Sequence, residues 1–315
     1  MQAVMPEMGG RLKIGLLLPE GEGRMSGATA SWRDLMSLAR LAENVGIDSL
    51  WIPDHLLYRM EGEPSRGTAE SCSLLAALAA VTDRIELGSF VTCTGFRNPA
   101  LLAKIADTID EISGGRLILG LGAGWHEPEY IAYGYPFDHR VSRFEEALII
   151  ITGLLRNGHI DFDGRYYQAR DCELRPRGPR PHGPPIMIGT TGPRMLALTA
   201  QHADMWNIFF SETENRVERI PAFQATVDAA CVVAGRDPAT LGRTAAVLLQ
   251  VIPDALTLRT VELGDAPALT GSPEELAAAL RVYAEVGITH LQLVLEPCTP
   301  AGIEAFAPVL ERVRQ

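Results

Sequence analysis

Four short stretches of this 315-residue chain hold most of the side chains that could take part in a reaction. They are Pro53-Asp54-His55, Thr92-Cys93-Thr94, the segment from Gly122 through Gly124, Trp125, His126 and Glu127, and Gly189-Thr190-Thr191-Gly192-Pro193. Imidazole titrates near neutrality and an adjacent carboxylate can tune it, so Asp54 and His55 suit positioning a ring or shuttling a proton. The same pair also suits a plain loop-stabilising hydrogen bond. Gly189 to Pro193 ends an apolar run and opens a helix, which points free backbone N–H groups, two hydroxyls and the positive end of a helix dipole at one place. A phosphate fits such a turn, and so does an ordinary glycine turn with a threonine cap. Trp125 and His126 follow the glycine-rich GLGAG and suit a pocket wall, although those glycines also let a strand and a helix pack closely. Glu127 and Glu129 are read as part of a solvated loop or helix start rather than as a general acid and base.

The absences narrow the chemistry. GLGAG lacks the GxGxxG spacing of a dinucleotide fold, and no GxSxG elbow, HExxH helix or P-loop lysine motif occurs. Cys72, Cys93, Cys172, Cys231 and Cys298 show no CxxC spacing, so reduced thiols are expected in place of a zinc site or disulfide framework. A net charge of −11 repels phosphate backbones, and Arg175, Arg177 and Arg180 lie among prolines that suggest a surface loop, so no nucleic-acid partner is expected. Residues Met1 to Gly10 lack the pattern of a secretory signal, and no window approaches the roughly 18 apolar residues of a membrane span. A cytoplasmic protein without a membrane partner is the expectation. With so few reactive groups of its own, the chain needs a cofactor for redox work.

The elements that must position these residues alternate. LKIGLLL at Leu12–Leu18 reads as a strand, and Trp32–Val45 repeats apolar residues at helical spacing up to Gly46. The alternation recurs with strands at Ser49–Ile52, Ile85–Thr92 and Leu117–Gly122, and helices at Ala69–Ala80, Ala100–Ile112 and Arg140–Leu155. Asp163-Gly164 between HIDF and RYYQ signals an inserted hairpin with a two-residue turn. A proline-rich connector from Pro176 to Pro185 follows, then strands at Ile186–Ile188, Met205–Ile208, Thr244–Ile252 and His290–Leu295. Their helices run over Leu196–His202, about Glu214–Ala234, from Pro273 and from Pro300; Ser272, Pro273 and Glu275 form a capping signature. Continuous apolar strands are those of a parallel sheet buried on both faces. The predicted fold is α/β: a single-domain (β/α)8 TIM barrel over 1–315, with the hairpin and loop before strand five and a long loop, Pro253–Gly271, after strand seven as a surface lid. An open doubly wound sheet is the alternative. In a barrel the strand C-termini carry function, which is where the four stretches fall.

SLWIPDHLL, LGSFVTCTGFRNPALLAKIADTIDEISGGRLILGLGAGWHEPEY, PPIMIGTTGPRMLALTAQHADMWN and GSPEELAAALRVYAEVGITHLQL, in that order, resemble the luciferase-like monooxygenase superfamily. The combination of PDH, RNPALLAK, GAGWHEPEY and IGTTGPR resembles the branch that uses the deazaflavin coenzyme F420 more than the branch that uses FMN. The resemblance implies a cofactor across the strand ends, with its phosphate at Gly189, Thr190, Thr191 and Gly192. It further implies a non-prolyl cis peptide at Ser89-Phe90 supporting the ring, Thr92 in contact with the cofactor, and Asp54 bonded to the ring edge. His55 would be the catalytic proton carrier or electrostatic stabiliser, and Trp125 and His126 would border the substrate. Sugar-phosphate dehydrogenases of that branch carry a glutamate where this chain has Ala123, which argues against a glucose-phosphate substrate.

Hydride transfer between the deazaflavin C5 and a small organic substrate is therefore the expected reaction, and no metal is expected. The alternatives are an FMN-dependent monooxygenase fed by a partner flavin reductase, and a cofactor-binding barrel without turnover. A homodimer is implied by the resemblance alone.

Overall fold

The computed structural model describes residues 11–251 and 266–315. Strand β1 (Lys13–Leu17) leads into α1 (Trp32–Val45) and β2 (Ser49–Ile52). Ser31 and Asp34 cap α1 reciprocally, and Gly46 ends it in the left-handed region at φ 91°. A short hairpin of β3 (Leu57–Tyr58) and β4 (Arg66–Gly67) precedes α2 (Ser71–Val81). Next come β5 (Glu86–Ser89), β6 (Thr92–Cys93), α3 (Pro99–Ser113), β7 (Leu117–Gly122), α4 (Glu127–Tyr133) and α5 (Arg140–Asn157). The inserted hairpin is β8 (His159–Asp163) and β9 (Gln168–Glu173). The alternation resumes with β10 (Ile186–Gly189), α6 (Pro193–His202), β11 (Met205–Ile208), α7 (Ile220–Val233) and β12 (Gly242–Gln250). It closes with α8 (Pro273–Glu285), β13 (His290–Glu296) and α9 (Pro300–Val313), α8 entering through the Ser272–Glu275 capping box.

The main sheet has nine strands, and β5 and β6 both pair with β7 across a two-residue break, Phe90-Val91, so they count as one barrel strand. The chain has the α/β, (β/α)8 barrel fold. Two compact units divide it: the described residues up to Trp51 with those from Gly189 on, and Ile52–Ile188. In the first, β11, β12, β13, β1 and β2 form a parallel ladder whose register sets Asn207 beside Thr244, and both Thr244 and Lys13 beside His290. Its interior holds a buried polar layer. Trp51 Nε1 donates to Ser49 Oγ at 2.7 Å, and Ser49 Oγ lies within hydrogen-bond distance, 2.7 Å, of His290 Nε2. Gly15 makes room for this layer, since a Cβ there would lie 2.3 Å from both Ser49 Oγ and Trp51 Nε1. In the second unit β5, β6 and β10 all pair in parallel with β7.

Several expectations need correction. The β8–β9 turn spans four residues, because Asp163 pairs with Gln168 and Gly164 N donates to Tyr167 O. The wider loop is anchored by Glu146, whose carboxylate accepts from the N–H groups of Arg165, Tyr166 and Tyr167. Helix α7 begins at Ile220, not near Glu214, because Glu214 and Asn215 both take positive φ. Among the described residues there are nine α-helices; α4 is the one not anticipated as a separate element. Of the loop Pro253–Gly271, residues 253–265 lie outside the described residues.

Candidate active site

His55 and the residues around it belong to the second unit. Leaving β2, the chain turns at Asp54 and His55, and the first turn of α4 brings Glu129 against them. His55 Nδ1 lies 2.9 Å from Glu129 Oε1, while Glu129 Oε2 accepts from Leu56 N at 2.9 Å and Leu57 N at 3.4 Å. Glu129 is 1% exposed, so the expectation of a solvated glutamate is overturned. The cause is local: helical geometry carries Glu129 back over the His55–Leu57 loop, where it meets two otherwise unmet backbone donors. Glu127, two residues earlier, stays exposed.

Aromatic rings surround the imidazole. His55 lies 4.3 Å from Tyr58 and 5.6 Å from Trp125 between ring centroids, and Trp125 lies 5.0 Å from His126. Trp125 is half exposed. His126 is buried, and its Nε2 accepts from Arg59 N at 3.0 Å, tying the β3–β4 hairpin to the β7–α4 loop. Of the two residues expected to border a substrate, Trp125 offers an open surface and His126 is a tie within the unit.

Asp54 is also a tie. Its buried carboxylate accepts from Arg97 Nη1 at 2.6 Å, Arg97 Nη2 at 2.9 Å, Ser71 Oγ at 2.7 Å and Cys93 N at 2.8 Å. A bond to a cofactor ring edge would require one of these donors to leave. Arg97 also bonds Glu70; burial opposes the charge on Glu70, but bonds from Ser73 and Arg97 outweigh it and hold that carboxyl at about 2. Sequence reasoning overlooked Arg97 and weighed Glu129 only to set it aside as solvated; an arginine just before a helix-opening Asn-Pro, and a glutamate on the buried side of a short helix, were the available signals.

Burial pushes the thiols of Cys72 and Cys93 up to about 12, so neither is a thiolate at neutral pH and nucleophilic cysteine chemistry has no support here. The non-prolyl cis peptide falls at Phe90-Val91, one residue beyond the expected Ser89-Phe90. Ser89 still belongs to the sheet, its Oγ donating to Gly120 O at 2.8 Å, and Phe90 N still donates to Ile52 O at 2.8 Å, so regular bonding ends only after Phe90. Thr92 is buried and its Oγ1 has no partner among the described residues.

The other predicted contact group lies in the first unit. Gly192 caps α6 without a side-chain bond, Pro193 occupies the first turn, and no described residue lies within 4 Å of where a Gly192 Cβ would stand. Gly192 N donates to Thr190 Oγ1 at 3.3 Å, and Thr191 Oγ1 donates to Glu212 at 3.4 Å. An open, uncapped helix start with two hydroxyls fits a phosphate. Among the described residues here, Glu212 opposes it as a like charge. Taken by itself, the turn fits the phosphate of a cofactor.

The sequence model described as luciferase-like monooxygenase matches residues 12–255. Pyrimidine monooxygenase RutA of Cronobacter sakazakii is 36% identical over 190 residues, 59% of this chain and 53% of that protein. The F420-dependent glucose-6-phosphate dehydrogenase of Amycolatopsis mediterranei is 36% identical over 178 residues, 55% of this chain and 52% of that protein. The chain thus spans about half the length of these relatives. A solved F420-dependent secondary alcohol dehydrogenase, in complex with an F420-acetone adduct, shares the fold at TM-score 0.81 and 20% identity, covering 97% of this chain and 100% of that one.

Proposed function

Because the chain belongs to the luciferase-like monooxygenase family, we propose that this enzyme transfers a hydride between coenzyme F420 and a small organic substrate, with His55 handling the substrate proton. The observation that carries the reading is the His55–Glu129 pair, an imidazole backed by a buried carboxylate beside an exposed tryptophan. When bound, the deazaflavin supplies the carbon that gives or takes the hydride. The protein contributes the rest. His55 exchanges a proton with the substrate, Trp125 and Tyr58 present apolar faces that exclude water, and Asp54 with Arg97 holds the His55 loop in place. The Gly189–Gly192 turn and the start of α6 would hold the cofactor phosphate.

The pyrimidine monooxygenase relatives favour a second reading, in which reduced FMN and oxygen serve the same barrel. Parallel titrations of the purified protein with coenzyme F420 and with FMN, followed by fluorescence and absorbance, separate the two. Saturable binding of F420 alone is expected; preferential FMN binding replaces the first reading by the second. His55→Ala should lower turnover by about 10²–10⁴-fold while sparing cofactor affinity.

A further inference from the structure

The carboxylate behind His55 does more than anchor a loop. Glu129 is buried, and among the described residues its only side-chain partner is His55; its other two bonds come from the backbone amides of Leu56 and Leu57. The two backbone N–H groups can only donate to it, and a carboxylate in its ordinary ionised form only accepts. The hydrogen between His55 and Glu129 therefore sits on Nδ1. The neutral imidazole has one hydrogen, so Nε2 keeps its lone pair, and no described residue bonds it. The His55 side chain is 15% exposed against 2% for Glu129, which makes the ring, and not the carboxylate, the part that a small molecule can reach.

We infer that Glu129 is a positioning residue that holds neutral His55 in the Nδ1–H tautomer and so makes Nε2 a proton acceptor. This rests on the functional reading above in assigning His55 a proton to move. In the step, a substrate O–H or N–H bond breaks, its electrons stay on the substrate heteroatom, and the proton goes to Nε2. The resulting imidazolium is stabilised by Glu129, which remains ionised. Had the tautomer been the reverse, His55 would enter the reaction as a donor.

The test reads the tautomer itself. Protein labelled with ¹⁵N-histidine, free of cofactor and substrate, is examined at about pH 8.5, where an ordinary imidazole is neutral. His55 should show a protonated, pyrrole-type Nδ1 and an unprotonated, pyridine-type Nε2; a protonated Nε2 overturns the proposal without any variant. In Glu129→Gln the amide oxygen can keep Leu56 and Leu57 while the amide nitrogen donates to Nδ1, which should move the hydrogen to Nε2. That variant should lose about 10²-fold or more in kcat with cofactor Kd unchanged. A folded Glu129→Gln whose tautomer matches the parent overturns the assignment. Since the tautomer is read without cofactor, preferential FMN binding would end the hydride-transfer reading and leave this result standing; the reverse tautomer with F420 turnover would do the opposite.

Discussion

Replacing Asp54 by alanine while Arg97 remains separates a scaffold role from a ligand role for that carboxylate. The substitution removes the acceptor for both Arg97 nitrogens, for Ser71 Oγ and for Cys93 N. The Arg97 side chain is 10% exposed, so among the described residues its charge keeps only Glu70, itself 41% exposed, as an ionic partner. Breaking a buried pair from one side costs about 3–5 kcal/mol, a large part of the roughly 5–15 kcal/mol by which a folded protein exceeds its unfolded chain. With a urea slope of about 3 kcal/mol/M, the midpoint should fall by about 1–1.7 M. The assay is urea unfolding of cofactor-free protein followed by circular dichroism, for Asp54→Ala, Arg97→Met and the double variant. The double variant should be more stable than Asp54→Ala alone, because it no longer buries an uncompensated guanidinium. A shift below about 0.3 M in the single variant, or costs that simply add, would refute the reasoning; Asp54 would then be a residue whose value appears only with cofactor bound.

Three further outcomes follow from the structure. Burial, reinforced by Lys13, lowers His290 from 6.5 to about 3, so between those values the unfolded chain binds the proton and the folded one does not. Stability should therefore fall as pH drops through this window, by about 1.4 kcal/mol per unit from this group, and His290→Gln should flatten that part of a stability–pH plot; an unchanged slope would show that the group does not titrate in this way. Gly124 sits at φ 75°, where a Cβ would lie 2.0 Å from the Tyr130 hydroxyl and 2.7 Å from Cys93 Sγ. Gly124→Ala should cost more than about 1 kcal/mol in thermal melts, and an unaltered Tm would mean that Tyr130 moves freely. Thr191→Glu adds a second carboxylate beside Glu212 at the open start of α6 and should weaken cofactor binding at least about tenfold; unchanged affinity in the same titration removes the turn from the site.

The fold was readable because its determinants are local. Apolar runs at β1, β2, β7, β10, β11, β12 and β13, helical periodicity in α1 and α3, and the Ser272–Glu275 capping box each lie within a few residues of chain. The boundaries that were missed depended on distant partners. The β8–β9 turn widened because Glu146, from α5, satisfies three of its amides, and α7 started late because two residues before it adopt positive φ. Neither effect leaves a mark in the local pattern.

The site divides along the same line. The sequence alone determined which loops carry polar residues at strand ends, and so pointed to His55, Trp125 and the Gly189–Gly192 turn. Only the tertiary structure decided what each side chain has left to offer, because that depends on groups far away along the chain. Asp54 is occupied by Arg97, 43 residues on, and His126 by a backbone amide 67 residues back. His55 is paired with Glu129 across 74 residues, a contact that no spacing rule connects. A carboxylate or imidazole is chemically the same in every sequence context; burial and the donors that reach it determine whether it binds, reacts or merely holds a loop.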